Sequence, residues 1–269
     1  MAAPAPAVAS SSASARPRPG SRVARAGSTL AILPARLGST RLPRKMLADI
    51  GGQPLVVRTL ERVRAVVERV VVATDAPEIA EVVNAAGGEA VLTGAAANGT
   101  ERCWLAWQII GAAHERPVIV NVQADEPLLD PLTLRGVIEA ASSLSDGDGF
   151  DIVTAAHPLH DPDNPARVKV VTGEGDRALY FSRAPIPHGG PHFGHVGIYA
   201  FREPAALFRA ATMPTHPLEL AERLEQLRWL ARGMGIRVVF ANEGHGGIDT
   251  PEDLARVRAH FAAEARGGG

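Results

Sequence analysis

Four short apolar runs, Leu30 to Leu33, Val70 to Ala73, Ala90 to Leu92 and Val118 to Val122, are each followed by a longer helix-like stretch, and the alternation continues to Leu144. This is βα repetition. Parallel neighbouring strands need crossover connections, so the pattern predicts an α/β fold with a mostly parallel sheet, helices on both faces, and ligands at the carboxyl ends of the strands. From Ile152 to Phe201 the character changes. Strand-like runs at Ile152 to Ala156, Val168 to Val171, Ala178 to Phe181 and Val196 to Phe201 lack convincing helices between them, which predicts an antiparallel element inserted beside the parallel sheet. Helical stretches at Glu203 to Ala211 and Leu218 to Ala231, a strand at Arg237 to Ala241 and a helix from Pro251 complete the pattern. Thr250, then Pro251, with Asp253 three residues on, form a capping arrangement for that last helix.

A chain of 269 residues with 46% hydrophobic residues can bury a substantial core, and residues 29–265 read as one large domain. The 28 basic and 29 acidic residues leave no one-signed excess, so neither nucleic acid nor a membrane surface is expected as a partner. No run of eighteen apolar residues occurs, and no membrane span is expected. The single cysteine, Cys103, excludes an internal disulfide, fits a reducing compartment and reads as a core thiol. Residues 1–28 are rich in Ala, Ser, Pro and Arg with no acid, which predicts a disordered tail. An organelle transit peptide is the alternative to a plain tail, and a cytoplasmic location is the reading adopted.

Between the first strand and the first long helix runs a basic loop, Leu33-Pro34-Ala35-Arg36-Leu37-Gly38-Ser39-Thr40-Arg41-Leu42-Pro43-Arg44-Lys45, with four cations and no anion. The helix-like segment after it opens at Gln53-Pro54, which predicts a helix with proline at its first position. Arg36 can fork to phosphate oxygens, Lys45 can act as a point charge, and Gly38 and Ser39 let backbone amides approach. A solvated basic loop is the competing reading of these residues taken alone.

Six further segments accompany the loop in order: Asn98-Gly99-Thr100-Glu101-Arg102, Asn121-Val122-Gln123-Ala124-Asp125-Glu126-Pro127, Tyr180-Phe181-Ser182-Arg183, His195-Val196-Gly197-Ile198-Tyr199, Leu224-Glu225-Gln226-Leu227-Arg228 and Ile248-Asp249-Thr250-Pro251-Glu252-Asp253. Together they resemble the 3-deoxy-manno-octulosonate (Kdo) cytidylyltransferase family, the CMP-Kdo synthetases, from about Ser28 to His260. The resemblance implies a sheet of nucleotide-diphospho-sugar transferase type. It implies transfer of CMP from CTP to Kdo within lipopolysaccharide biosynthesis, with magnesium and a homodimer. Leu33, Pro34, Ala35 and Arg36 would contact base and ribose through backbone groups, and Lys45 would sit near the α-phosphate.

Asp125 directly follows the run Val118 to Val122, so it emerges at a strand's carboxyl end, where the family places a magnesium ligand; turn-making by Asp-Glu-Pro is its competing reading. Asp249 is the second expected ligand, with helix capping as its alternative. Gln123 could bond ribose or base, and Asn98, Thr100 and Arg102 could wall the cytosine pocket, although Thr100 also reads as a helix N-cap and Arg102 as a first-turn surface cation. Trp104 and Trp107 read as core packing, and the histidines lack zinc-ligand spacing.

An acidic acceptor calls for arginine at its carboxylate and polar groups at its hydroxyls. By the resemblance these are Arg183, His195, Tyr199, Glu225 and Gln226, with Lys169 a secondary candidate, and the antiparallel element carries the pocket. His195 alone reads more often as a structural histidine than as a ligand, and Glu225 with Arg228 reads as a helix surface pair. Two departures from the family pattern fall beside the acceptor. The loop from Pro187 to His195 is short, and Gly194 stands where a basic residue commonly precedes the histidine. Ala124 replaces a customary glycine. The alternatives retained are CMP transfer to another small acid, such as 8-amino Kdo or a phosphonate, and a non-catalytic nucleotide-binding module.

Overall fold

The computed structural model describes residues 28–38, 42–111, 116–244 and 246–267. The expectations for residues 1–27 and for Ser39, Thr40 and Arg41 lie outside the described residues. The elements run β1 (Thr29–Ala35), β2 (Asp49–Ile50), β3 (Gln53–Pro54), α1 (Leu55–Arg64), β4 (Arg69–Thr74), α2 (Pro77–Ala85), β5 (Glu89–Leu92), α3 (Gly99–Ile110), β6 (Val118–Val122) and α4 (Pro131–Ser142). They continue with β7 (Ile152–Pro158), β8 (Lys169–Thr172), β9 (Ala178–Ser182), β10 (Phe193–Phe201), α5 (Pro204–Thr212), α6 (Pro217–Glu222), α7 (Gln226–Ala231), β11 (Ile236–Phe240) and α8 (Pro251–Gly267).

The central sheet has the order β11-β7-β10-β6-β1-β4-β5. β1 lies parallel to β4 and β6, β4 to β5, and β11 to β7, while β10 is antiparallel to both β6 and β7. The strand order reverses direction between β1 and β6, the crevice where open α/β sheets accept ligands. Of the four strands expected in an inserted element, β7 and β10 are integral to this sheet. Only β8 and β9 form an appended ribbon, which joins β10 at Phe193↔Val170 and Gly194↔Lys169.

Alternation along each strand fills both layers. Leu33, Val72, Val120 and Val122 pack toward α1, α2 and α4, whereas Ile32, Val71 and Ile119 pack toward Cys103 and Ala106 of α3, Leu207 of α5 and Leu227 of α7. Full burial of each such aliphatic side chain is worth about 1.5–3 kcal/mol over exposure, which holds the strand ends in register beneath the site. Cys103 is completely buried, and burial pushes its thiol pKa up, so it is a protonated core residue.

Local expectations are corrected at two helices. Pro54 is not the first residue of α1 but its extended N-cap, at φ −60° and ψ 146°, because Gln53 and Pro54 pair with Asp49 and Ile50 across a turn whose residues Gly51 and Gly52 both have positive φ. The stretch Leu218 to Ala231 is two helices, broken at Arg223 with φ 55°. Glu222, the last residue of the first helix, is tied to the end of β9: its carboxylate accepts hydrogen bonds from Ser182 Oγ and the Arg183 amide at 2.7 and 2.8 Å, and its carbonyl accepts from Arg183 Nε at 3.0 Å. The α8 cap forms as expected: Thr250 Oγ1 accepts from the Asp253 amide, and the Asp253 carboxylate accepts from Thr250. Among the described residues no helix is long and apolar enough to cross a membrane.

Candidate active site

β1 and β6 end side by side, and the end of β1 with Arg36 after it, Pro34 to Arg36, and the segment leaving β6, Gln123 to Asp125, line a cleft of about 400 Å³ at the strand-order reversal. Leu33 itself is buried in the core, with its backbone in the β1–β4 register. Lys45 follows Arg44, whose φ of 54° turns the chain into a single 3₁₀ turn and aims the lysine inward. The ammonium, nearly buried, lies 2.5 Å from Asp125 Oδ2 and 3.6 Å from Asp249 Oδ1, and also donates to the Ile248 carbonyl at 2.6 Å. Three residues separated by 80 and more positions thus meet at one point in the cleft. Two carboxylates around one cation would repel each other without it, so the lysine holds them together.

The opposite wall is the start of α3. Asn98 caps this helix, its side chain accepting from the Glu101 amide at 2.8 Å, so Thr100 is not the N-cap expected of it. Thr100 lies within the helix, fully buried, and donates to Glu225 Oε2 at 3.0 Å. Arg102 is no surface cation: only 4% exposed, it donates to Asp75 at 2.7 Å and to Thr93 Oγ1 at 2.8 Å while lining the cleft. Asp75 was missed by the sequence reading, although it leaves β4 just as Asp125 leaves β6.

A second cavity, of about 480 Å³, adjoins the first through Asp249 and is bounded by β10, the loop before β8, the start of α4 and the start of α8. His195 and His157 line it from neighbouring strands. Burial, reinforced by His157, depresses His195 to a pKa of about 3, so its imidazole is neutral at physiological pH. Its Nε2 lies 2.9 Å from Thr154 Oγ1, and Phe181 and Tyr199 pack on the ring at 5.0 and 5.4 Å between centroids. Glu126 lines the same cavity, its carboxyl raised to about 8 by burial and by the neighbouring Asp125.

The His157 ring is seated by two glycines. A Cβ on Gly194 would fall 2.7 Å from its Nε2, and one on Gly244 2.2 Å from its Cδ2. The departure at Gly194 therefore has a structural counterpart: the space is filled by an imidazole from β7.

The other expected acceptor residues separate. Tyr199 is buried against His195 and Trp229. Glu225, lifted to about 7 by burial against the pull of Arg228, bonds Thr100 and Arg228 rather than forming an exposed pair. Gln226 is 3% exposed in α7. Arg183 lines neither cavity; its guanidinium donates to the Glu222 and Pro165 carbonyls at 3.0 Å each. Lys169 is fully buried and donates to the carbonyls of Asn164, Arg167 and Arg183.

Comparison with known proteins adds the following. Residues 30–236 match the family described as Cytidylyltransferase. A 3-deoxy-manno-octulosonate cytidylyltransferase from Bradyrhizobium diazoefficiens is 42% identical over 240 residues, covering 86% of this chain and 96% of the relative. Its counterpart from Parvibaculum lavamentivorans is 44% identical over 247 residues, covering 88% and 94%. A solved CMP:2-keto-3-deoxy-manno-octonic acid synthetase complexed with CTP superposes with a TM-score of 0.81 at 35% identity, covering 88% of this chain and all of that one.

Proposed function

The chain belongs to the cytidylyltransferase family, and from that premise we propose that it transfers CMP from CTP to Kdo, forming CMP-Kdo and pyrophosphate. The observation that carries this reading is the convergence of Lys45, Asp125 and Asp249 beside Arg36 in a cleft at the strand-order reversal. The anomeric hydroxyl of the acceptor attacks the α-phosphorus in line and expels pyrophosphate, with no covalent enzyme intermediate. Arg36 and Lys45 stabilise the charge on the triphosphate, and Pro34, Ala35, Asn98, Arg102 and Gln123 enclose base and ribose. The second cavity, sharing Asp249 with the first, takes the acceptor, where neutral His195 can hydrogen-bond a hydroxyl without adding charge. Tyr199, Glu225, Gln226 and Arg183 then support the acceptor side from behind that wall.

Asp125 and Asp249 would hold Mg²⁺. They suit it: both are hard oxygen donors drawn to one cation in the cleft. Bound magnesium supplies charge neutralisation on the triphosphate and the departing pyrophosphate. The reading extends to a cytoplasmic homodimer paired through the β8–β9 ribbon, on which Leu179 stands 58% exposed; sedimentation of the purified protein tests the pairing.

The relatives' shared name favours Kdo over amino-Kdo or a phosphonate. Incubating the purified enzyme with CTP, magnesium and Kdo should release pyrophosphate, and silence with Kdo beside release with another acid would move the assignment to that acid.

A further inference from the structure

β4 and β5 lie side by side at one edge of the central sheet, and the residues that leave them meet one side chain from α3. Arg102, one turn into that helix, donates from Nη2 to Asp75 Oδ2 at 2.7 Å, and from Nη1 to Thr93 Oγ1 at 2.8 Å and to the Gly94 carbonyl at 3.5 Å. These acceptors are themselves fixed. The Thr93 amide donates to the Thr74 carbonyl at 2.8 Å and the Thr93 hydroxyl donates to the same carbonyl at 3.4 Å, which leaves the lone pairs of that hydroxyl to the arginine. Thr74 Oγ1 accepts from the Ala76 amide at 3.1 Å across the turn that carries Asp75. Both amino groups of a buried guanidinium are thus held from two strand ends, and among the described residues Asp75 is the carboxylate paired with it.

The guanidinium held in this way belongs to the α3 wall of the nucleotide cleft. Of the described residues on that wall, Ala96, Ala97 and Gly99 bring no polar side chain, and the Asn98 side-chain oxygen is engaged in the helix cap. Arg102 brings the charged donors, and a guanidinium carries more N–H groups than Asp75, Thr93 and Gly94 accept. Asp75 does not line the cleft, so its influence on a nucleotide passes through the arginine. Cytosine presents adjacent acceptors at O2 and N3, whereas uracil carries a hydrogen on N3. A group that donates and never accepts suits the first base and opposes the second, provided that its plane is held.

We propose that Asp75 is a positioning residue that holds the Arg102 guanidinium for the base of the bound nucleotide and so sets the preference for cytosine over uracil. This deepens the reading of the cleft as a CTP site and rests on it. Thr93 is the second support of the same guanidinium, and Asp75 is the one that also balances its charge.

Calorimetric titration with CTP and with UTP, the acceptor omitted, tests it on the wild type, Asp75→Ala, Asp75→Asn, Arg102→Gln and the double variant, each shown to be folded by circular dichroism. Asp75→Ala should weaken CTP binding by roughly 10- to 100-fold, the range of a hydrogen bond to a charged group, and shift UTP by less than about threefold, so that the preference for CTP collapses. Asp75→Asn keeps an acceptor oxygen and should recover part of the loss. Asp75→Ala should add less than about twofold to the effect of Arg102→Gln, because the two side chains act as one. Where the alanine variant does not fold, Asp75→Asn carries the same cycle, with a loss of about threefold expected. Unchanged CTP affinity and preference overturn the assignment, as does an effect that adds in full to that of Arg102→Gln. Equal weakening of CTP and UTP also overturns it, as the mark of a bridge that merely fastens α3 to β4. A wild type that binds CTP and UTP equally would sink this inference alone, and one that binds neither would sink the reading of the cleft with it.

Discussion

The two adjoining cavities are built on opposite electrostatic plans. In the nucleotide cleft, formal charges meet directly: Lys45 with Asp125 and Asp249, Arg102 with Asp75. In the second cavity burial favours the neutral forms of His195, at about 3, and Glu126, at about 8, beside the charged pair Arg256 and Asp253, and its shape depends on Gly194, Gly244 and Gly246. The difference follows from what each must hold. A triphosphate carries several charges and demands compensating ones, whereas a sugar acid carries one and is recognised mostly through hydroxyls. The first plan is sensitive to charge removal and the second to shape.

The largest effect should come from the cleft. Lys45→Ala leaves two acids facing each other and removes a phosphate-stabilising charge, so turnover should fall by about 10²- to 10³-fold, measured as pyrophosphate release from protein shown to be folded by circular dichroism. A drop below tenfold would mean that the lysine is merely structural. Asp125→Asn should cost on the order of 100-fold and raise the magnesium concentration needed for half-maximal rate; an unchanged magnesium dependence would remove Asp125 from the ligand set.

The shape-dependent cavity should respond differently. Gly194→Ala drives a methyl group to 2.7 Å from His157 Nε2, which should cost about 1–3 kcal/mol of stability and raise the acceptor KM by roughly tenfold while sparing that of CTP. Equal losses for both substrates would erase the distinction between the cavities. His195 provides a pH test. Its folded pKa of about 3 lies below the ordinary value of 6.5, so the folded state binds fewer protons than the unfolded chain between those limits. Its contribution to stability is therefore complete above about pH 6.5 and is lost progressively as pH falls toward 3. The His195 ring signals in NMR should stay constant from pH 8 to about 4; titration near 6.5 would show that the ring is not desolvated. The smallest effect belongs to Arg256→Ala. This half-exposed cation is already paired with Asp253, so the acceptor KM should move by less than about twofold.

Strand positions and the chemistry of strand ends were legible in the chain because both depend on residues only a few positions apart. The run Val118 to Val122 coincides with β6, and Asp125 emerges where an acid leaving a parallel strand should. Asp75 obeyed the same rule at β4 and went unrecognised, since only its partner Arg102 gives it meaning. Asn98 and Thr100 both suited an N-cap, and the choice fell to Asn98 because Thr100 is drawn inward by Glu225, 125 residues away.

Read in one dimension, the chain already specifies an alternating α/β sheet and the acids and cations that leave its strands, because periodicity and turn chemistry act over short distances. Which side chains come to face one another was settled only on folding. Lys45 reaches Ile248 across 203 positions, Lys169 gathers three carbonyls from two segments, and Arg183 turns to the backbone while Arg167 is left at the cavity wall. The first depends on where two distant loops close and the others on the register between β7, β8 and β10, and no local pattern encodes distances of that kind.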